Sequence, residues 1–518
     1  MATCSRNSSP TPASARSRSY WVTSRSSRSM PAETPPNRKK VGPPARPNAS
    51  RPWRGLFARG DASTSMTDRA TPERVLAEFV AGLEFEDAPS DLVALAERAF
   101  VDTVGVTLAG ADADAGERAG RFAATQAGAV DGGATLVGRT ERATLPAAAL
   151  ANGTAGHALD YDDLSWGMDG HPSVVLVPPV LAASEATDAT GADAVTAFVA
   201  GFETACYLAE PISPEHYERG WHATATFGTF GATAATCSVL GLDADATHRA
   251  LGIAASMPSG LKRNFGSMTK PLHAGLAARS GVTAALLARD GFSADATPVS
   301  GDDGFFDLYG GGATTMPTPP GEPWRLRTEG IHVKYYPCCY FTHTSVTATA
   351  ALADEHGIEP ADVERVEVTA SRGAGDALVN PDPETGLEAK FSMEHCVAAA
   401  LARDRVGLGA FEPEAVTDPT IAALRERVAF ETDDGREYDG HGATVRVVTT
   451  AGETHERTQA DPPGVHEDPL STAQLREKYL ECATRVLNEA AAERTHDRLA
   501  ALADEPSLAD VVASLAPE

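Results

Sequence analysis

Lysine is almost missing from most of this 518-residue chain. From Met66 onward only Lys262, Lys270, Lys334, Lys390 and Lys478 remain, against 27 arginines. A replaceable surface lysine in such a chain should have become Arg, Asp or Glu, so a surviving lysine invites a functional reading. Cysteine is also sparse. Six of the seven cysteines lie after Met66 (Cys206, Cys237, Cys338, Cys339, Cys396 and Cys482), with no CxxC pair, which excludes a disulfide framework and a zinc-ribbon pattern. No apolar run reaches the roughly 18 to 20 residues that cross a bilayer. The N-terminus has no apolar h-region of about 7 to 15 residues, so no secretory signal is read there. The expectation is a soluble, cytoplasmic protein with no membrane partner.

Charge is split unevenly. Residues 1–65 hold ten Arg and two Lys against Glu33 and Asp61, a balance of +10, whereas the remaining 32 basic and 69 acidic residues give the body −37. The first segment is rich in Ser, Arg and Pro without apolar periodicity, so it cannot offset its ordering entropy. It is expected to be a disordered basic extension upstream of a true start at Met66, rather than a nucleic-acid-binding arm. An acidic, Lys-poor, Ala-rich body resembles proteins of salt-in halophiles. At about 1 M salt the Debye length is near 3 Å, so the negative body would not repel an anionic substrate at long range.

Helix signals open the body. Thr71-Pro72-Glu73 supplies an N-cap, a proline at the first helical position and an acid in the first turn; Val75, Leu76, Phe79, Val80 and Leu83 then share one face. A second helix is predicted from Ser90, and others over about 145–159, 173–187, 193–210, 227–240, 245–257 and 271–290. Near residue 329 the texture changes: GIHVKYYP, VERVEVTAS, RVAFETDD and ATVRVVTTAGETHERTQ read as strands, with helices predicted over about 343–356 and 387–403. After DPPG, residues 471–515 return to amphipathic helix. The predicted fold is mainly α. A large all-α helical domain comes from both ends of the chain (66–328 and 467–518), with a smaller α+β lid domain (329–466) inserted between.

Four clusters carry chemistry-bearing residues. HALDYDDLSWGMDGHPSV contains Asp160, Asp162, Asp163 and His171; a hard cation could use three such carboxylates, although an acidic helix end is the plainer reading. GWHATATFG contains His222. NFGSMTKPLHAG contains Lys270 and His273, with Lys262-Arg263 nearby as a second basic candidate. HVKYYPCCYFTH contains Lys334, Tyr336 and the Cys338-Cys339 pair.

ALANGTAGHALDYDDL followed by HPSV, then GWHATATFGTFGATAA, NFGSMTKPLHAGLAARSGVTAALLARDGF, KYYPCCYFTH and KFSMEHCVAAAL resemble, in order, the signatures of the MmgE/PrpD family. That family includes 2-methylcitrate dehydratase, cis-aconitate decarboxylase and an iminodisuccinate epimerase. The resemblance implies a helical domain with an inserted lid, a site in the cleft between them and a homodimer. It implies a small polycarboxylate substrate, no metal or organic cofactor, and no nucleic-acid partner. Carried over position by position, the catalytic residues fall on Asp160, His171, His222, Lys270 and Lys334. Lys270, Lys334, His273, Tyr336 and Cys339 are expected to meet the substrate. Where the cis-aconitate decarboxylase branch has a Thr and a lid His, this chain has Leu164 and Cys339. Those departures argue against that exact decarboxylation, while KYYPCC also departs from the KISFPAEFH-like lid motif of 2-methylcitrate dehydratases. The expectation is a lyase of the 2-methylcitrate dehydratase type, with an epimerase or decarboxylase as alternative and a non-catalytic carboxylate binder as a reading of another class. In that mechanism Lys270 and Lys334 clamp a carboxylate as enolate charge builds, His171 and His222 exchange protons, and Asp160 orients a histidine or acts as the base.

Overall fold

Thr71 precedes the helix Pro72–Gly82, with Pro72 and Glu73 in its first turn and Leu76, Phe79 and Val80 buried. The computed structural model describes residues 71–126, 133–312, 316–438 and 440–517. The expected basic extension, residues 1–65, lies outside the described residues. Among the described residues helix accounts for 57% and strand for 8%, so the fold is mainly α. The helices Ser90–Gly110, Leu145–His157, Ser173–Ser184, Gly191–Ala209, Ala223–Val239, Ala244–Ala254 and Thr269–Arg289 fall within a few residues of the predicted stretches. Among the described residues, no helix is long and apolar enough to cross a membrane.

Small residues set how closely these helices cross. Leu145–His157 packs on Thr269–Arg289 where Gly153 faces Gly275. A Cβ on Gly275 would stand 2.3 Å from Leu150 O and 2.2 Å from Thr154 Oγ1, so neither helix could hold its place with a larger residue there. The C-terminal helix Thr472–Ala483 returns to pack on Ser90–Gly110, with Tyr479 lying over Gly105. Val106, Ala109, Tyr161, Leu408 and Cys482 close a small apolar cluster from four distant segments.

Residues 339–447 enclose a hydrophobic core of their own. A four-stranded sheet runs in the order Val428–Thr432, Val363–Ala370, Ala443–Thr449, Thr454–Gln459, with the first pair parallel and the others antiparallel. Val366, Val368, Val445 and Val447 are fully buried while Glu367 and Arg446 between them face outward, the period-two alternation expected of a half-buried sheet. Helices His343–His356 and Met393–Ala402 contribute Ala348, Leu352, Val397 and Leu401 to the same core.

Two expectations are corrected here. GIHVKYYP is not a strand: only His332 forms an isolated bridge, to Leu164, and the segment then bends. Pro337 has no N–H for a ladder, and the carbonyls of Lys334 and Pro337 accept from lysine side chains instead. The helix expected over 387–403 is broken into Gly386–Ala389 and Met393–Ala402. Ser392 caps the second piece, its side chain accepting from the His395 N–H, which leaves Lys390 in the bend between them.

Candidate active site

The helix Leu145–His157 ends against a turn in which Asp160 takes φ 53°, the left-handed region that Asp tolerates better than most residues. That turn is held by lysines. Lys270, in the first turn of Thr269–Arg289, donates to Asp160 Oδ1 at 2.5 Å, and Lys334 lies 3.1 Å from Asp160 Oδ2 while donating to the Asp160 carbonyl at 3.0 Å. Lys390 donates to Leu159 O at 2.8 Å and Lys478 to Tyr161 O at 2.8 Å. Four of the five lysines after Met66 are thus buried around residues 159–161. The fifth, Lys262, instead donates to Tyr217 O and lies over the Tyr217 ring.

The charges do not cancel pair by pair. Burial alone would raise the Asp160 carboxyl, but Lys270 and Lys334 outweigh it and hold the group well below the usual carboxylate range. Burial lowers Lys334, and the charges of Asp160 and Asp162 more than offset that loss. One carboxylate therefore pairs directly with two ammonium groups, and the Asp162 charge reaches Lys334 as well.

The other two aspartates turn elsewhere. Asp162 accepts from His157 Nδ1 at 2.8 Å and lies 3.1 Å from His171 Nδ1. Asp163 accepts from the Ser173 N–H at 3.2 Å and forms a very short hydrogen bond with the Ser173 hydroxyl, at the start of Ser173–Ser184. Burial, with the Asp102 charge added, pushes the Asp163 carboxyl up to about 8, so it is protonated at neutral pH. The carboxylates that the sequence suggested as one cation site thus serve three different partner sets. Among the described residues, the groups close enough to share an ion are instead His157, Asp162 and His171, whose ligating atoms lie within 4.8 Å of one another.

Four imidazoles form a row beside the lysines. His171 and His157 meet edge-on at 4.5 Å between centroids, His157 and His222 stack at 5.9 Å, and His222 Nδ1 meets His273 Nδ1 at 3.1 Å. His171 Nδ1 faces only acceptors, Asp163 O at 2.7 Å and Asp162, so it carries a hydrogen and Nε2 is the ring atom left to take up a proton. Burial pushes His157 down to about 4 and His222 well below its ordinary value. Burial lowers His273 as well, with the Lys270 charge adding to it. Two neutral rings joined Nδ1 to Nδ1 share one hydrogen, so the His222–His273 pair presents one bare Nε2 and one Nε2–H. That arrangement can accept a proton at one atom and donate one at another. Phe265 meets the His222 ring edge-on and lies 5.3 Å from Lys270 Nζ, screening both from water.

The structure therefore brings together Asp160, His171, His222, Lys270, His273 and Lys334. Cys339 is close by: its N–H donates to Lys390 O at 2.9 Å, and burial, with the Asp160 charge, pushes its thiol up to about 12. Tyr336 is placed differently, its hydroxyl on Thr347 and its ring packed with Cys338, Val346 and Cys396. Sequence reasoning did not single out His157, Lys390 or Lys478 as site residues. The lysine depletion that drew attention to Lys270 applied equally to Lys390 and Lys478.

A family model described as the MmgE/PrpD N-terminal domain matches residues 74–317, and one described as the MmgE/PrpD C-terminal domain matches residues 336–504. A cis-aconitate decarboxylase-like protein, oryM, of Aspergillus oryzae is 28% identical over 490 residues, covering 88% of this chain and 100% of that protein. The cis-aconitate decarboxylases of Mus musculus and Homo sapiens are 27% and 26% identical, covering 79% and 80% of this chain and 86% and 88% of those proteins.

Proposed function

The chain belongs to the MmgE/PrpD family, and from that premise we propose that it is a cofactor-independent lyase acting on a small polycarboxylate. One observation carries this reading: Lys270 and Lys334, both buried, share the single carboxylate of Asp160. Two ammonium groups that share one directly paired carboxylate suit a substrate that brings its own carboxylates. Their attraction strengthens as negative charge builds on the substrate, because little water is present to screen it.

Two bond changes can run through such a centre. In a decarboxylation, the electron pair of the breaking C–C bond passes into the remaining unsaturated acid as carbon dioxide leaves, and a ring Nε2–H returns a proton to carbon. In a dehydration, a bare Nε2 removes a proton beside a carboxylate, the pair forms the double bond, and hydroxide leaves with a proton from the second ring. His171, held by Asp162, serves as the base, and the His222–His273 pair supplies the proton. The named relatives favour decarboxylation of a cis-aconitate-like acid. Leu164 and Cys339, where that branch has Thr and His, argue against that exact decarboxylation, and dehydration of the 2-methylcitrate type is the second reading.

The test is to incubate the purified full chain, in high salt, with cis-aconitate, 2-methylcitrate, citrate and iminodisuccinate, each with and without EDTA. Carbon dioxide release from cis-aconitate supports the first reading, and ultraviolet absorbance of a new double bond from 2-methylcitrate supports the second. Turnover of none of them overturns the lyase assignment, and turnover abolished by chelator overturns the cofactor-independent mechanism.

A further inference from the structure

We propose that Lys390 is a positioning residue, tying the Asp160 turn to the Lys334–Cys339 segment so that the Asp160 carboxylate stays between Lys270 and Lys334. Two buried lysines outside the central trio make parallel cross-links. Lys390 Nζ joins Leu159 O at 2.8 Å to Pro337 O at 2.6 Å, and Lys478 Nζ joins Tyr161 O to Lys334 O, each at 2.8 Å. Asp160 lies between the two anchored carbonyls, and Lys334 lies within the segment at their far ends. A residue at φ 53° costs on the order of 1 kcal/mol and keeps that conformation only where its surroundings impose it. These cross-links impose it from both sides.

The two staples differ in charge balance. Lys478 has a counter-ion, Asp102 Oδ1 at 2.6 Å. Lys390 has two carbonyls and the Phe411 ring, 4.7 Å from Nζ to centroid, and no carboxylate among the described residues pairs with it. The titratable groups whose charges reach it are the thiols of Cys338 and Cys396, the Asp160 carboxylate and the Lys334 ammonium. Burial pushes the Lys390 amine down to about 8. Its hydrogen bonds are charge-assisted below that pH and lose that assistance above it, which weakens the grip on Leu159 and Pro337.

Because the kinetic part rests on the lyase reading, the experiment includes an arm without substrate. Crystal structures of the wild type and of Lys390→Met should differ at Asp160, which leaves its left-handed conformation or its place between Lys270 and Lys334 in the variant. An unchanged Asp160 overturns the proposal whether or not the protein is a lyase. In kinetics, the wild type should lose kcat as pH rises through about 8. Lys390→Met should lose about 10²-fold in kcat with KM little changed. Lys390→Arg, whose guanidinium does not titrate, should recover part of kcat and lack the alkaline limb. Lys478→Met, the control, should keep that limb. If Lys390→Met fails to fold, Lys390→Arg decides: a wild-type alkaline limb in that variant overturns the proposal.

Discussion

Lys270 Nζ and Asp160 Oδ1 stand 2.5 Å apart, although 110 residues separate them in the chain. The contact exists because Thr269–Arg289 crosses Leu145–His157 at Gly275 and Gly153, which brings the start of one helix to the turn that ends the other. Its energetics follow from burial. Removing one partner of a buried pair leaves the other charge desolvated and costs about 3 to 5 kcal/mol, more than the intact pair contributes.

Asp160→Asn should therefore destabilise the protein more than Lys270→Met does, because the amide leaves two buried ammonium groups without the carboxylate that both pair with. Urea unfolding of both variants at neutral pH checks the order. On the proposed mechanism, Lys270→Met and Lys334→Met each lose about 10² to 10³-fold in kcat. Activity within tenfold of wild type in either lysine variant argues against the clamp.

Asp162→Asn tests the histidine row. The carboxylate accepts from His157 Nδ1 and lies 3.1 Å from His171 Nδ1, and an amide in its place removes the negative charge that faces both rings. The expected result is a loss of about 10² to 10⁴-fold in kcat with the fold retained. Full activity would place the proton-transfer groups elsewhere.

Asp163→Asn probes a different property. The Asp163 carboxyl is raised to about 8 from an ordinary 3.8, so the folded protein holds a proton there that the unfolded chain has already lost. The sign follows directly. This group's contribution is largest at acid pH and falls by about 1.4 kcal/mol per pH unit as pH rises toward 8. Asparagine does not titrate, so the stability difference between variant and wild type should shift in the variant's favour between pH 6.5 and 8, measured by denaturant midpoints. His157, pushed down to about 4, acts below that window, where its contribution is lost as pH falls. A pH-independent difference would mean that Asp163 is ionised in the folded protein.

Gly275→Ala adds one methyl where a Cβ meets Leu150 O at 2.3 Å. The helices must separate, at a cost of about 1 to 3 kcal/mol. Because the same crossing sets the Lys270–Asp160 distance, activity should fall along with thermal stability. A variant with wild-type melting and kcat would show that the crossing is looser than it looks.

How much was legible in advance depended on the range of the forces involved. Thr71-Pro72-Glu73 announced a helix because capping and proline geometry act within four residues. VERVEVTAS announced a strand because its Val366 and Val368 alternate with Glu367 over adjacent positions. KYYP misled because its β-forming residues lie in a segment whose carbonyls are claimed by Lys390 and Lys478 from distant parts of the chain. Tyr336 shared a motif with Lys334, yet its ring turned into the Cys338 and Val346 cluster instead.

The sequence by itself determined which stretches become helix, the family to which the chain belongs, and that its few lysines after Met66 call for an explanation. Only the tertiary structure decided what that explanation is. Asp160, Asp162 and Asp163 are near neighbours in the chain and similar in chemistry, yet one meets two ammonium groups, one meets two imidazoles, and one keeps its proton beside Ser173. Nothing local distinguishes them. Helix crossings and burial do, by bringing partners from up to 174 residues away and removing the water that would otherwise make the three alike.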